Sequence, residues 1–346
     1  METTMRTTVR QWRRLSAAAA CGALAITLAA CSSGADAPAA QADAPAKASA
    51  QGAKVSMITA RSWNSFYFTV TCDVEKDAKA AGLDLKVVDF PQASYTPQGM
   101  ASVVLQNAAQ KPDAIINTSP DVKAMDNTLK QVTQQGVKLV NFDGIVTDDA
   151  ITNGQVTTDV VETGKVGADA LGKAINGTGK VLVIDLVPGL PSTNKRVEGF
   201  TAEMKAKYPN VEILPVQYDH LNTSEDAQIM ASTLATHPDL AGVYFTYNQA
   251  AIGAMPSLIS AGKQGVVKVV SNDSDPILVG WLKQGYIDTL TPHNVPAFAK
   301  AVVDTTVGAI EGKDANPRTV QIPPVVITKD NVDSPEVAGS LYRATC

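Results

Sequence analysis

The sequence predicts an α/β fold with two lobes, each built on a doubly wound parallel sheet. From residue 54 onward, short apolar runs of strand length alternate with helical stretches, and the connections between them are short. This alternation is typical of parallel strands joined by right-handed helical crossovers, with helices covering both faces of the sheet. About a dozen strands are expected, which is more than one twisted sheet comfortably holds, so two sheets are predicted.

Two series of elements follow each other along the chain. Gly82 and Gly136 each come directly after a helical stretch, where glycine readily adopts the left-handed conformation that ends a helix. The first series is predicted to contain strands at 55–59, 85–90, 114–117 and 138–142 and helices at 65–81, 97–110 and 122–135. The second is predicted to contain helices at 160–175, 194–208, 224–236, 249–261, 276–284 and 296–312 and strands at 179–186, 211–216, 242–246, 266–271, 287–291 and 324–328.

Residues 1–30 have the organisation of a bacterial lipoprotein signal peptide. Four arginines between residues 6 and 14 precede an apolar run over 17–30, which is shorter than the roughly 20 residues that a membrane span needs. The run ends in Leu-Ala-Ala followed by Cys31, which resembles a lipobox, where cleavage precedes the cysteine and its thiol is lipidated. A plain secretory signal with a chance cysteine is the alternative.

Residues 31–53 are predicted to be a disordered, lipid-anchored tether, because Ala, Pro, Ser and Asp dominate a segment that cannot bury enough apolar surface to fold. Without residues 1–30 the chain keeps 25 basic and 33 acidic side chains, a formal charge of −8. This balance argues against a nucleic-acid partner. We expect an exported monomer, in the periplasm or on the outer face of the cytoplasmic membrane, that touches the membrane only through its lipid.

Two cysteines, Cys72 and Cys346, remain beyond the lipobox. In an exported chain, such a pair is expected to be oxidised to a disulfide. The alternative is a buried thiol at position 72 and a frayed, reactive thiol at position 346.

Polar and aromatic side chains cluster where the predicted strands end. Ligands of doubly wound sheets bind outside the carboxyl ends of the strands, so these side chains are expected to line a cleft. Carboxylates, amides and a guanidinium can bond vicinal hydroxyls, and aromatic rings can cover the C–H faces of a sugar. Taken singly, Asn64, Thr158 or Asn248 could instead cap a helix, and the aromatic rings could be ordinary packing. The candidate ligand-binding residues are Arg61, Trp63, Asn64, Phe66, Tyr67, Asn117, Asp143, Thr158, Arg196, Tyr247, Asn248, Asp273 and His293.

An enzyme is the weakest interpretation of this chain. Its three histidines, His220, His237 and His293, lack the spacing of metal ligands. No Gly-x-Ser-x-Gly elbow and no dinucleotide-binding fingerprint occur in the sequence. We therefore expect no catalytic residue, no metal and no cofactor.

Several short motifs, in order along the chain, match one known family. They are Asn64-Ser-Phe-Tyr67, Ala78-Lys-Ala-Ala-Gly82, Asp113-Ala-Ile-Ile-Asn117, Leu139-Val-Asn-Phe-Asp143, Arg196-Val-Glu-Gly-Phe200 and Thr236-His-Pro-Asp239. With them, residues 54–330 resemble a type I periplasmic binding protein of the ribose-binding class, the sugar receptors of ABC importers. The resemblance implies that the first-lobe wall carries Asn64, Phe66, Tyr67, Asn117 and Asp143, and that the second carries Arg196, Tyr247, Asn248 and Asp273.

The resemblance also implies how the chain is divided and what it does. A hinge of three strands is expected near residues 158, 292 and 323, and a small sugar or polyol is expected to bind by hinge closure before delivery to an ABC permease. Presentation of the ligand to a chemoreceptor or histidine kinase is the alternative. The implied parts are an N-terminal lobe of 54–158 plus 293–322, a C-terminal lobe of 159–292 plus 323–333, and a tail of 334–346.

Three positions depart from the ribose-binding pattern. Gly144 stands where ribose receptors carry an arginine, Tyr247 changes their Asn-Asp step, and Pro292 or His293 replaces their glutamine. These departures predict a ligand other than ribose, such as another pentose, a hexose, a polyol or a larger, partly apolar molecule.

Overall fold

The computed structural model describes residues 49–118, 122–144, 146 and 148–346. The predicted signal peptide, Cys31 and most of the predicted tether lie outside the described residues. In chain order the strands are β1 (Lys54–Thr59), β2 (Asp84–Asp89), β3 (Ala114–Asn117), β4 (Lys138–Phe142), β5 (Gly154–Thr158), β6 (Thr178–Asp185), β7 (Asn210–Ile213), β8 (Gln217–Tyr218), β9 (Leu240–Phe245), β10 (Lys268–Asn272), β11 (Thr289–Thr291), β12 (Thr319–Ile322) and β13 (Ile327–Thr328). The α-helices are α1 (Ser65–Ala80), α2 (Pro97–Ala108), α3 (Val122–Gln134), α4 (Val160–Ala174), α5 (Pro191–Lys207), α6 (Thr223–Thr236), α7 (Asn248–Ser260), α8 (Pro276–Gln284), α9 (Val295–Ile310) and α10 (Pro335–Ala338), with 3-10 turns at Gln92–Ser94 and Asp149–Ile151.

The first lobe is built on a six-stranded sheet in which every neighbouring pair is parallel. Its strand order is β12-β5-β4-β3-β1-β2. The central strand β3 is buried along its whole length, as expected for a parallel strand covered by helices on both faces. The edge strand β2 alternates between exposed and half-buried positions. Helix α9 returns to this lobe late in the chain and packs on α1, β4 and β5.

The second lobe is built on a seven-stranded sheet with the order β13-β11-β10-β9-β6-β7, to which β8 adds by pairing with β6. All of its pairs are parallel except β13, which runs antiparallel to β11. The predicted parallel sheet of this lobe therefore carries one antiparallel strand at its edge. Strand β13 enters from the first lobe at the edge where β11 ends, so the two strands must run in opposite directions.

Two predicted strands differ from the structure. The strand expected at 211–216 is split into β7 and β8, and Pro215, which has no N–H to donate to a sheet, lies between them. The strand expected at 324–328 is reduced to β13. Strand β12, which was not predicted, lies between Pro317 and Pro323, and these prolines make the segment look like a loop in the sequence.

The chain passes between the two sheets three times. It leaves the first sheet after β5, returns after β11 to form α9 and β12, and leaves again after β12 to form β13. These passages bring the carboxyl ends of the strands of both sheets to one side of the hinge. Within the described residues, none of the helices is long and apolar enough to cross a bilayer.

Candidate functional site

One cavity lies between the two lobes, at the carboxyl ends of the strands. It has a volume of about 340 Å³ and is lined by both lobes. In each sheet the strand order reverses at one point, β1 beside β3 and β6 beside β9, and doubly wound sheets bind ligands outside such points. A wider depression of about 820 Å³ lies at the opposite ends of β1, β3 and β4 and is lined by connecting segments such as 111–113. The cavity between the lobes is therefore the candidate site.

The start of α1 and the end of β4 build the first-lobe wall. The Asn64 side chain accepts a hydrogen bond from the Tyr67 N–H at 3.1 Å, so this residue both caps α1 and lines the cavity. The Tyr67 hydroxyl donates to Asp143 Oδ2 at 2.6 Å. Burial raises the pKa of Tyr67 well above its usual value, and the nearby Asp143 raises it further. The hydroxyl therefore stays protonated at neutral pH and orients the Asp143 carboxylate.

Aromatic rings cover the outer part of this wall. The Trp63 Nε1–H donates to the Phe90 carbonyl at 2.8 Å, and the edge of Tyr95 lies against the indole with the ring centroids 5.4 Å apart. Burial, followed by the charge of Asp143, raises the pKa of Tyr95 to about 12. These rings offer apolar faces in fixed orientations, which suits contact with the C–H groups of a ligand.

Arg196, on α5, supplies the cation of the second-lobe wall. Its side chain is 5% exposed, and Nη1 donates to the Thr246 carbonyl at 2.7 Å, directly after β9. The Thr246 hydroxyl in turn donates to Asp185 Oδ1 at 2.7 Å, which ties this turn to the end of β6. The Arg196 Nε–H has no acceptor among the described residues. The guanidinium is thus held in place by the protein with hydrogen-bonding capacity left over.

Asp273, directly after β10, supplies the carboxylate of the same wall. It has a φ of +71°, a left-handed conformation that aspartate adopts more readily than most residues. Its Oδ2 accepts from the Asn248 backbone N–H at 3.2 Å, at the start of α7, and its Oδ1 accepts from the Tyr342 hydroxyl at 2.7 Å. The Asn248 side chain donates to Asp275 Oδ2 at 2.8 Å rather than capping its own helix.

His293 lies in the hinge, between the two walls. Its ring stacks on Phe66 with the centroids 4.0 Å apart, its Nδ1 is hydrogen-bonded to the Thr158 hydroxyl, and its Nε2 lies 3.7 Å from Asp273 Oδ1. Burial lowers the pKa of His293 below its usual value, although the charge of Asp273 opposes this shift. The imidazole is therefore neutral at neutral pH.

The structure brings ten of the thirteen candidate residues together around the cavity. Asn117 is buried one layer below, where its amide donates to Asn141 Oδ1 at 3.2 Å, and Thr158 reaches the cavity only through His293. Arg61 lies outside the cavity, because it precedes the first turn of α1 and its guanidinium pairs with Glu75 of that helix at 3.1 Å. The ten lining residues are Trp63, Asn64, Phe66, Tyr67, Asp143, Arg196, Tyr247, Asn248, Asp273 and His293.

Sequence reasoning missed a second group of lining residues, most of them apolar. Tyr95 comes from the segment after β2, Leu186 follows β6 directly, and Leu190 directly precedes α5. A sequence signal exists for the leucines, since they lie near the end of a predicted strand, but apolar side chains at such positions are also common in the core. The missed residues are Tyr95, Thr157, Val160, Leu186, Leu190, Pro191, Ser192, Thr193, Leu221 and Gln249.

A family model described as "periplasmic binding protein domain" matches residues 55–314. The chain belongs to the periplasmic binding protein family. Two doubly wound lobes with a cavity at their facing strand ends are the fold of this family, and they confirm the predicted fold class and the resemblance. This periplasmic binding protein is a solute receptor of an exported family and not an enzyme.

Two curated relatives of this periplasmic binding protein illustrate the range of similarity. The ribose import binding protein of Escherichia coli is 25% identical over 64% of this chain and 73% of its own length. The xylitol-binding protein of Mycolicibacterium smegmatis is 24% identical over 92% of this chain and 87% of its own length.

Solved structures give the same fold. An ABC transporter solute-binding protein from Agrobacterium vitis, bound with α-D-tagatopyranose, is 27% identical and superposes with a TM-score of 0.77, covering 84% of this chain and 99% of that chain. A carbohydrate transporter solute-binding protein from Agrobacterium radiobacter, in complex with D-arabinose, is 23% identical and has a TM-score of 0.75. The superposition covers 84% of this chain and 99% of that chain.

Proposed function

We propose that this periplasmic binding protein binds a small sugar or polyol between its lobes and delivers it to an ABC import permease. The observation that carries the proposal is the arrangement of charge. Asp143 of the first lobe and Arg196 and Asp273 of the second line one cavity of about 340 Å³. A volume of this size is within the range of small-molecule sites.

The chemistry of the walls suits a polyhydroxylated molecule. Carboxylates accept hydrogen bonds from hydroxyl groups, and a guanidinium donates to hydroxyl oxygens, so one hydroxyl can bridge groups of opposite charge. The aromatic rings of Trp63 and Phe66 offer apolar faces to the C–H groups of the same ligand.

Closure follows from the division of these groups between two lobes. In the open form, a ligand bound to Asp143 of the first lobe makes no hydrogen bonds to Arg196 and Asp273 of the second lobe. The ligand therefore binds the closed form more tightly than the open form and shifts the population toward closure. The closed form is the one proposed to dock on the permease.

The ligand is proposed to be a molecule other than ribose. Gly144 lines the cavity without a side chain, at the position where ribose receptors carry an arginine, and apolar residues such as Leu186 and Leu190 line the second lobe. The two relatives are a ribose import binding protein and a xylitol-binding protein, and one of the similar structures holds α-D-tagatopyranose, which makes pentoses, pentitols and ketohexoses the first candidates.

The proposal also includes how the chain is anchored to the membrane and how it is divided into lobes. We propose a lipid on Cys31, the two lobes with the boundaries given above, and a monomeric state. The predicted tether is shorter than 31–53, because Ala50 and Ala53 are buried in the core of the first lobe. Mass spectrometry of the chain from a membrane fraction tests the lipid, and an unmodified Cys31 would refute it.

The side chains of Cys72 and Cys346 are adjacent, with Cα atoms 5.5 Å apart, which supports a disulfide between them.

A thermal-shift screen against D-tagatose, D-ribose, D-arabinose, D-allose and xylitol tests the proposal. We expect at least one of them to raise the melting temperature, and Asp273→Ala or Arg196→Ala to abolish the shift. Each of these changes removes a charge-assisted hydrogen bond worth about 1.5–3 kcal/mol, or roughly 10- to 100-fold in Kd.

Arg318→Ala is the matched control for Arg196→Ala. Its guanidinium also donates to a backbone carbonyl, that of Thr152 at 2.9 Å, but it lies outside the cavity. The control is expected to keep the full ligand-induced shift. Retention of the shift in both cavity variants would refute the assigned site, and the absence of any shift with the wild type would refute this ligand class.

A further inference from the structure

The last residues of the chain first run along the second lobe. Val337 is buried in the core of that lobe. The Ser274 hydroxyl donates to the Ser340 carbonyl at 2.6 Å, and the Tyr342 N–H donates to the Ser274 carbonyl at 3.2 Å. Ser274 follows the cavity residue Asp273, so this segment passes directly behind the ligand-facing carboxylate.

The side chain of Tyr342 joins the two lobes. Its ring packs in the core of the first lobe, with its centroid 5.9 Å from that of Phe66, and only 4% of the residue is exposed. Its hydroxyl donates to Asp273 Oδ1 of the second lobe at 2.7 Å. Burial raises the pKa of Tyr342 well above its usual value, and Asp273 raises it further, so the hydroxyl stays a donor.

Beyond Tyr342 the chain crosses onto helix α1 of the first lobe. The Arg343 N–H donates to the Thr69 hydroxyl at 2.9 Å, and Arg343 Nη2 pairs with Asp73 Oδ1 at 2.6 Å. Cys346 lies beside Cys72 on the same helix. Residues 339–346 therefore contact both lobes, in addition to the three passages of the hinge.

We propose that Tyr342 is a positioning residue for the ligand-binding carboxylate of Asp273, and that residues 339–346 form a fourth connection between the lobes that holds it there. The Asp273 carboxylate has two oxygens, one fixed by the start of α7 and the other by this tyrosine. The C-terminal segment thus completes the orientation of a cavity residue without lining the cavity itself. The inference rests on the proposed function in one respect, that Asp273 contacts the ligand.

Tyr342→Phe tests the hydroxyl while keeping the ring in the core. We expect Kd, measured by calorimetry with the tightest binder among D-tagatose, xylitol and D-ribose, to rise about tenfold, since a hydrogen bond to a charged group is lost. Tyr208→Phe is the matched control, because its hydroxyl also donates to an aspartate, Asp169 at 2.8 Å, but away from the cavity. An unchanged Kd in Tyr342→Phe would overturn the proposal.

A double-mutant cycle separates positioning from packing. In an Asp273→Ala background, Tyr342→Phe is expected to change Kd by less than about twofold, because no side-chain oxygen remains at position 273 to accept from the hydroxyl. Equal, additive losses in both backgrounds would show that the hydroxyl acts elsewhere, and would overturn the proposal.

Hydrogen exchange measured without any sugar tests the positioning role of Tyr342 separately from the proposed sugar binding. The Asn248 amide, which donates to Asp273, is expected to exchange its hydrogen faster in Tyr342→Phe than in Tyr208→Phe or the wild type. Cys346→Ser, which frees the end of the segment without changing Tyr342, is expected to act in the same direction. If no sugar binds but this exchange quickens, only the proposed ligand class is wrong. If exchange is unchanged in both variants, the positioning role is refuted.

Discussion

Asp226, on α6, is a buried carboxyl group behind the cavity wall. Neither of its oxygens has a hydrogen-bond donor among the described residues. Its neighbour Asp219 accepts a hydrogen bond from the hydroxyl of Tyr247, whose ring lines the cavity. Burial, and then Asp219, raise the pKa of Asp226 to about 9. Asp226 is therefore neutral at pH 7 and can donate a hydrogen bond to Asp219, which also accepts one from the Tyr247 hydroxyl.

Asp226→Asn is expected to stabilise the fold in a pH-dependent way. Because the folded pKa lies above the unfolded pKa, the carboxyl group destabilises the native state progressively as pH rises from about 4 to about 9. The amide also donates to Asp219 but carries no proton to lose. Urea denaturation should show the variant equal to wild type at pH 4 and more stable than wild type at pH 8 by several kcal/mol, since each pH unit between the two pKa values is worth about 1.4 kcal/mol. An equal difference at both pH values would contradict this assignment.

At the scale of elements, α4 and α5 pack closely because glycines face the partner backbone. A Cβ built on Gly164 of α4 would lie 2.0 Å from the Arg196 carbonyl oxygen, and one on Gly199 of α5 would lie 2.1 Å from that of Val161. Neither carbonyl can move without moving its helix. This contact therefore sets the distance between α4 and α5, and with it the position of Arg196 at the cavity.

Gly164→Ala is expected to lower the free energy of unfolding by about 1–3 kcal/mol, as overpacking does, and to weaken ligand binding by displacing Arg196. Gly280→Ala on α8 is the control, because a Cβ there meets no atom within 4 Å. The control should raise the free energy of unfolding by about 0.5–1 kcal/mol through helix propensity alone. Urea denaturation and calorimetry measure both effects, and equal behaviour of the two variants would refute the packing argument.

At the scale of the whole molecule, the proposed function predicts a motion at the hinge that the ligand limits. The three passages between the sheets are short segments, and the walls that they join carry complementary groups. We expect the radius of gyration from small-angle scattering to fall when a binding sugar is added. At a free ligand concentration 100 times Kd, the free energy of unfolding should rise by about 2.7 kcal/mol. A stabilised protein with an unchanged radius would mean that the ligand does not close the lobes.

Much of the local structure could be predicted from sequence because its causes are local. Helix α8 (Pro276–Gln284) has the predicted bounds, since Pro276 starts it and Gly285, with a φ of +77°, ends it. Asn64 was recognised both as a possible cap and as a wall residue, and it is placed as both. Strand β12 was missed because its only strand partner is β5, more than 150 residues earlier in the chain.

The sequence by itself determined the alternation of strands and helices, the two doubly wound lobes and most of the polar residues that reach the cavity. These depend on hydrophobic period, end signals and the rule that parallel strands share one carboxyl edge. Only the tertiary structure decided that Arg61 turns to Glu75 and that Tyr342 reaches Asp273, 69 residues away. Such contacts depend on which surfaces meet once both lobes have folded, and no pattern within a short window carries that information.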